Sequence, residues 1–186
     1  MAVPTFVRDS QALNELLTRS KQLACPQCRR VGMLIGHGLV VGYAERSTSH
    51  EVRGRRLLCS ARFRRSGCGR TFAVLIATVV AGFSVRTATL STFLEAVVRG
   101  ATRNAAWGHV HDGRTGLTLR SGYRLWDRLV AAQSSIRTAL FGIASPPAAS
   151  DPDPIAHMLA HLRLALAPTD CLLAAFQLTL QRPIFG

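Results

Sequence analysis

The sequence predicts an α+β protein, in which a small β-hairpin element held by four cysteines is followed by a mostly helical region. Three observations predict this class. A Cys-x-x-Cys pair is followed by two more distant cysteines, and the residues between them are rich in β-branched side chains and glycine. Farther along the chain, apolar residues recur every three to four positions, which is the period of an amphipathic helix. Hydrophobic residues make up 48% of the chain, which is typical of a folded protein.

The cysteines of the hairpin element have a spacing typical of a metal site. Cys25 and Cys28 flank a Pro-Gln turn, and this spacing lets two thiolates of one tight loop bind the same zinc ion. Cys59 and Cys68 can complete the tetrahedron. We therefore interpret residues 25–80 as a zinc ribbon.

The spacing of the second pair leaves the ligand set open. Eight residues separate Cys59 from Cys68, which is long for a zinc ribbon, so His37 and His50 are substitute ligands. Without a metal, the cysteines would be ordinary small buried residues. A disulfide is disfavoured because Cys171 makes the number of cysteines odd and no secretory signal is recognisable, both of which indicate a reducing compartment.

The segment between the two cysteine pairs predicts an antiparallel hairpin with a basic surface. Residues 33–43 and 52–58 are the strands, and residues 47–50 are the turn. Ten arginines but only two acidic residues lie between positions 29 and 70, and such a surface points to phosphate groups. The arginines expected to contact DNA from this element are Arg53, Arg55, Arg56, Arg62, Arg64, Arg65 and Arg70.

Capping and apolar residues predict the elements on either side. Asp9 or Ser10 caps a first helix that runs to about Leu23, and residues 71–80 form a strand that leaves the cysteine site. A second helix begins at about Thr89 and stops at Gly100. The next two helices are a short one capped by Thr102, which carries the DNA-contact candidate Arg103, and a long one from Thr118 to about Phe141.

The long helix carries arginines at a helical spacing. Arg120, Arg124 and Arg128 recur every four residues and therefore stand in one row, although such a row is also typical of a solvated face. Guanidinium groups on a helix that follows a turn are suited to phosphates or to the O6 and N7 atoms of guanine. Gly122 costs about 1 kcal/mol relative to alanine inside a helix, unless it permits a close approach. The residues expected on the buried side are Leu119, Tyr123, Trp126, Val130, Ile136 and Leu140, with Leu129 at the edge.

The remaining chain is predicted to be a proline-rich linker, a helix and an apolar tail that docks on the core or on a second protomer. The full division is residues 1–24 (N-terminal helix), 25–80 (zinc ribbon), 81–144 (helix-turn-helix-like domain), 145–154 (linker) and 155–186 (C-terminal helix and apolar tail).

The net charge indicates an anionic partner. The chain carries a formal charge of +13, and Lys21 is its only lysine. Nucleic acid is the first candidate and an anionic membrane surface a distant second. The longest apolar run is about fourteen residues, short of the roughly twenty that span a bilayer, so we expect a cytoplasmic protein.

Three stretches, CPQC, RRLLCSARFRRSGCGRTFAV and YRLWDRL, resemble the zinc ribbon and helix-turn-helix regions of bacterial insertion-sequence transposases. The resemblance covers residues 23–140, and its most specific part is GCGRTF at residues 67–72. It implies recognition of double-stranded DNA and a bound zinc ion. The residues it implies for these roles are the zinc ligands Cys25, Cys28, Cys59 and Cys68 and the DNA-facing residues Arg120, Ser121, Arg124 and Arg128.

We expect no catalytic activity. The catalytic domain of such a transposase needs three carboxylates on a sheet of well over a hundred residues, whereas Asp151 and Asp153 lie in the proline-rich segment. The expected role is that of a transposition accessory or a transcriptional regulator. One alternative is a non-catalytic subunit whose arginine-rich ribbon docks an acidic protein or RNA, with the apolar C-terminus buried against a partner. Another is an enzyme with a catalytic zinc, for which Glu45 and Glu51 are the only nearby acidic residues.

Overall fold

A computed structural model describes residues 3–45, 47–61, 66–111, 117–148 and 152–185, and it confirms the α+β class. The chain divides into two compact units. The first consists of Met1–Tyr43 and His50–Ala77, and the second consists of Ala44–Ser49 and Thr78–Gly186. The cysteine pairs lie in the first unit and the arginine row lies in the second.

The first unit contains a four-stranded sheet in its described residues. A helix, α1 (Ser10–Thr18), precedes the hairpin, and its first turn is capped by Asp9, which accepts a hydrogen bond of 2.8 Å from the backbone of Ala12. The helix ends earlier than the predicted Leu23 because the chain tightens into a 3₁₀ turn at Ser20–Gln22. The strands are β1 (Phe6–Val7), β2 (Leu34–Tyr43), β3 (His50–Cys59) and β4 (Thr71–Ile76).

The strand order is β1–β4–β3–β2. Strands β2 and β3 form the predicted antiparallel hairpin, and β4 pairs antiparallel with β3 on its other side. Strand β4 ends at Ile76 rather than at residue 80, because Val79 forms an isolated bridge with Arg86 instead of extending the sheet. The two-residue strand β1, parallel to β4, was not predicted because it is too short to show an alternating pattern.

The second unit is helical in its described residues. Helices α2 (Thr87–Val98) and α3 (Arg103–Val110) are joined by a four-residue turn, residues 99–102, in which Gly100 has a φ of +98°. The predicted caps are present: Thr102 accepts a hydrogen bond from the backbone of Ala105, and Thr118 forms a capping box with Ser121. The segment predicted as an apolar tail contains a helix, α6 (Leu172–Leu180). The helices are α2 (Thr87–Val98), α3 (Arg103–Val110), α4 (Leu119–Leu140), α5 (Pro154–Leu166) and α6 (Leu172–Leu180).

The predicted buried face of α4 was partly wrong. Leu119, Tyr123 and Val130 are 41–52% exposed, so the helix is rotated relative to the prediction. The cause is the packing of α3, because a Cβ atom at Gly122 would lie 2.7 Å from the ring of Trp107. The close approach needs glycine and turns that side of α4 inward. The residues of α4 that are buried are Gly122, Leu125, Leu129, Ile136 and Leu140.

No helix among the described residues combines the length and the apolar character required to cross a bilayer. The core of the second unit is formed instead by side chains from all five helices and the segments beside them. Leu173, Phe176 and Ile184 of the C-terminal region are buried in this core. The apolar C-terminus therefore packs within its own unit.

Candidate metal centre and arginine row

The sheet brings the second cysteine pair together with the first. Cys59 is the last residue of β3 and pairs with Leu34, at the start of β2. Its backbone N–H donates to the carbonyl of Arg70, just before β4, and the N–H of Gly69 donates to the carbonyl of Cys59. These bonds hold Cys68 beside Cys59 even though eight residues separate them.

The first pair lies in a closed turn between α1 and β2. The N–H of Cys25 donates to the carbonyl of Arg30, and the N–H of Arg29 donates back to the carbonyl of Cys25, both at 2.9 Å. Arg29 has a φ of +60°, which reverses the chain after Cys28. The turn therefore presents both thiols on the same side.

All four predicted ligands meet in one cluster. The sulfur atoms of Cys25, Cys28, Cys59 and Cys68 lie within 4.8 Å of one another. The Sγ–Sγ distance is 3.7 Å for Cys25 and Cys68 and also for Cys28 and Cys59. A disulfide requires about 2.05 Å, whereas four thiolates bound to one central ion at about 2.3 Å would lie about 3.8 Å apart. The geometry therefore fits four ligands of a single metal ion.

The pKa values of the two buried thiols, Cys25 and Cys59, also favour the binding of a cation. Burial acts to raise the pKa of the Cys25 thiol, but hydrogen bonds from the backbone of Cys28 and Gln27 act against it. Together with the neighbouring thiols they lower this pKa from 9.0 to about 7. Burial raises the pKa of the Cys59 thiol; a hydrogen bond from the backbone of Cys68 acts to lower it, but the neighbouring thiols raise it further, to about 12. The Cys25 thiol therefore loses its proton readily, whereas the Cys59 thiolate needs a neighbouring cation to stabilise it.

Neither substitute ligand is part of this cluster. His37 lies on β2 with an exposed side chain. His50 lies at the start of β3, where the centre of its ring is 4.6 Å from that of Tyr43. The described residues thus give an all-cysteine ligand set.

The arginines predicted to contact DNA from the hairpin element are not equivalent. Arg56 and Arg70 are exposed and Arg55 is half-buried. Arg53 is only 6% exposed: its side chain packs over Gly42, and its Nε atom lies 3.8 Å from the carboxylate of Glu51. The Arg53 side chain is therefore buried against the sheet and is not part of the exposed basic surface. Arg62, Arg64 and Arg65 lie outside the described residues.

The arginine row consists of Arg120, Arg124 and Arg128 on α4. All three side chains are exposed, and none forms an ion pair with a carboxylate of the described residues. Ser121 is half-buried, and its hydroxyl accepts a hydrogen bond from the backbone of Thr118 in the capping box. Ser121 thus has a structural role at the start of the helix.

Arg103 lies close to aromatic residues of α4. Its guanidinium group is 5.8 Å from the ring centre of Tyr123 and 5.5 Å from that of Trp126, which are cation–π distances. The Tyr123 hydroxyl donates to the side-chain oxygen of Asn104 at 2.7 Å. Neither the role of Asn104 nor the exposed position of Tyr123 was predicted, because both depend on the contact between α3 and α4.

No protein-family model, no curated protein and no solved structure matches this chain. The resemblance to insertion-sequence transposases therefore depends on the sequence motifs alone.

Proposed function

We propose that this chain is a zinc-dependent DNA-binding protein, related to the DNA-recognition part of a transposase, which serves as a transposition accessory or a transcriptional regulator. The observation that carries the proposal is the arginine row: three exposed guanidinium groups in one line on a helix, without carboxylate partners among the described residues. Unpaired arginines keep their full capacity to bind phosphates and guanine bases.

The metal in this proposal is zinc. Four thiolates in a tetrahedral arrangement are the ligand set of structural zinc sites, and soft sulfur ligands disfavour magnesium and calcium. Because four cysteines fill the tetrahedron, no position remains for water or a substrate, so the role is to hold the hairpin element together. Cys25, Cys28, Cys59 and Cys68 would bind the ion as thiolates.

The helical unit supplies the proposed DNA contacts. The turn between α2 and α3 has the length of a helix-turn-helix turn and contains glycine at a positive φ. Arg103 is positioned over Tyr123 and Trp126 at the first turn of α3, and Arg120 and Arg124 stand at the first turns of α4. The proposed contacts thus come from the N-terminal parts of α3 and α4, and the net chain charge of +13 adds long-range attraction to a polyanion.

The proposal is tested by comparing two triple variants that lose equal charge. Arg120, Arg124 and Arg128 are changed to alanine in the first, and the exposed Arg8, Arg19 and Lys21 of the first unit are changed to alanine in the second. Fluorescence anisotropy with a labelled DNA duplex should show an affinity loss of at least about tenfold for the first variant only, because only it removes phosphate contacts. Equal losses would show that binding depends on net charge, and no binding by the wild-type chain would refute the proposal.

A second candidate function is an interaction subunit, and one observation favours it. Leu39, Val41, Tyr43 and Val52 of the β2–β3 hairpin are 39–56% exposed, and β2 is an edge strand of the sheet. Exposed apolar side chains on a basic hairpin suit a protein or RNA partner. A stable complex with such a partner, together with absence of duplex binding, would support this function over the first.

A further inference from the structure

A cavity of about 390 Å³ lies in the second unit, between one side of α4 and the segment that follows α6. Its volume falls in the range of roughly 300–1,000 Å³ that is usual for small-molecule sites. The space exists because α4 presents small residues there, Ala131, Ala132, Ser135 and Ala139 among them. The unit thus contains room for a compact ligand.

The inner part of the cavity is apolar. Ile136, Phe176 and Ile184, which line it, are at most 2% exposed and belong to the core of the unit. Phe185 lines the cavity as well, and its ring lies 5.3 Å from that of Phe83. The segment after α6 is therefore packed against the rest of the second unit. An apolar group that entered would be removed from water, at a gain of about 25 cal/mol per Å² of buried surface.

Two cations, Arg128 and Arg182, also line the cavity, and none of the described lining residues is acidic. Arg128 and Arg182 are both exposed. Neither forms an ion pair with a carboxylate in the part of the chain that the structure describes. A guanidinium group without a partner at the edge of an apolar space is suited to a carboxylate, which it can bind through two parallel hydrogen bonds.

We propose that this cavity binds an amphipathic monocarboxylate, such as a medium-chain fatty acid. Its apolar body packs on the half-buried Ala132, Ala139 and Phe185, above the buried Ile136, Phe176 and Ile184, and its carboxylate is held by the guanidinium groups of Arg128 and Arg182. A neutral analogue of the same length gains the apolar contacts but leaves both cations unpaired.

Binding at this site is linked to DNA binding through Arg128, and this link rests on the proposed function. Arg128 is the last residue of the arginine row, so a carboxylate that engages it removes one of three guanidinium groups from the phosphates. The slope of log affinity against log salt then becomes shallower by about 0.9.

The site is tested by isothermal titration of the whole chain with decanoate and with decanol, in the absence of DNA. We expect one decanoate per chain with a dissociation constant below about 1 mM, and decanol at least about tenfold weaker. The double variant Arg128→Gln and Arg182→Gln should lose at least about tenfold in decanoate affinity. The variant Arg8→Gln and Arg19→Gln, which loses the same charge, should bind as the wild type does.

Filling the cavity provides a second variant that does not alter charge. Ala132→Phe should abolish decanoate binding while the far-ultraviolet circular dichroism spectrum is retained. Equal affinity for decanoate and decanol, or full binding by the Ala132→Phe variant, would overturn the site. If decanoate binds but no duplex does, the site stands and only the link to DNA fails.

Discussion

At the scale of single residues, the four cysteines of the cluster link metal binding to the stability of the first unit. Cys25 and Cys59 are fully buried, and they come from a turn and from a strand that are separated by more than thirty residues of sequence. A bound ion would cross-link these two parts of the first unit. Structural zinc ions contribute about 10–16 kcal/mol in zinc-finger peptides at neutral pH, which is comparable to the entire stability of a domain.

Replacement of Cys25 should therefore release the metal and unfold the first unit. In a Cys25→Ser variant we expect less than about one tenth of the wild-type zinc content and loss of the corresponding thermal transition, because three ligands hold zinc far less well than four. Cys171→Ser is the control, since Cys171 lies outside the cluster. Atomic absorption and calorimetry give the two readouts, and a zinc content of Cys25→Ser equal to that of the control would contradict the ligand assignment.

The affinity for zinc should fall as the pH falls. The pKa of the Cys59 thiol is raised to about 12, so in the metal-free protein this thiol is protonated at neutral pH and must lose its proton when zinc binds. Each proton released makes affinity about tenfold weaker per pH unit of acidification. Competition with a chelator of known pH dependence at pH 6.5, 7.5 and 8.5 measures this slope. An affinity that does not change with pH would mean that the thiols are not the ligands.

Gly122 is the residue on which the packing of α3 against α4 depends. Gly122→Ala should destabilise the protein by about 1–3 kcal/mol, because the added Cβ atom would lie 2.7 Å from the ring of Trp107. Gly108→Ala is a matched helical control: nothing lies within 4 Å of its added Cβ atom, so it should stabilise by up to about 1 kcal/mol. Urea denaturation distinguishes them, and effects of the same sign would contradict this account of the helix contact.

At the scale of elements, the sequence predicted those features that local signals determine. The antiparallel hairpin followed from two β-branched runs with a polar turn between them, and the caps Asp9, Thr102 and Thr118 followed from their side-chain chemistry. The cysteine cluster followed from spacing, since a Cys-x-x-Cys turn already places two thiols together.

Features that depend on tertiary contacts were not predictable in the same way. The inward face of α4 was misjudged because Gly122, which has no apolar side chain, marks the point of closest approach to Trp107. The burial of Arg53 depends on a bulge in the hairpin between Val40 and Val41, which shifts the register of β2 against β3. Neither contact leaves a periodic pattern in the sequence.

At the scale of the whole molecule, composition predicted an anionic partner but not which arginines would bind it. The 23 basic residues include buried, half-buried and exposed side chains. Solvent exposure in the structure distinguishes Arg53, whose side chain is buried against the sheet, from the exposed arginine row on α4. The net charge of +13 supplies long-range attraction to a polyanion, and the row supplies the contacts that would distinguish DNA binding from general attraction.

Whether this protein binds DNA through phosphate contacts is decided by the affinity of the zinc-loaded wild-type chain for a DNA duplex over a series of salt concentrations. We expect binding at low salt and a linear fall of log affinity with log salt, with a slope of about −2.7 or steeper if the three arginines of the row each neutralise one phosphate. An affinity that stays constant from about 50 to 200 mM salt, or no duplex binding at any salt concentration, would refute DNA binding by the arginine row.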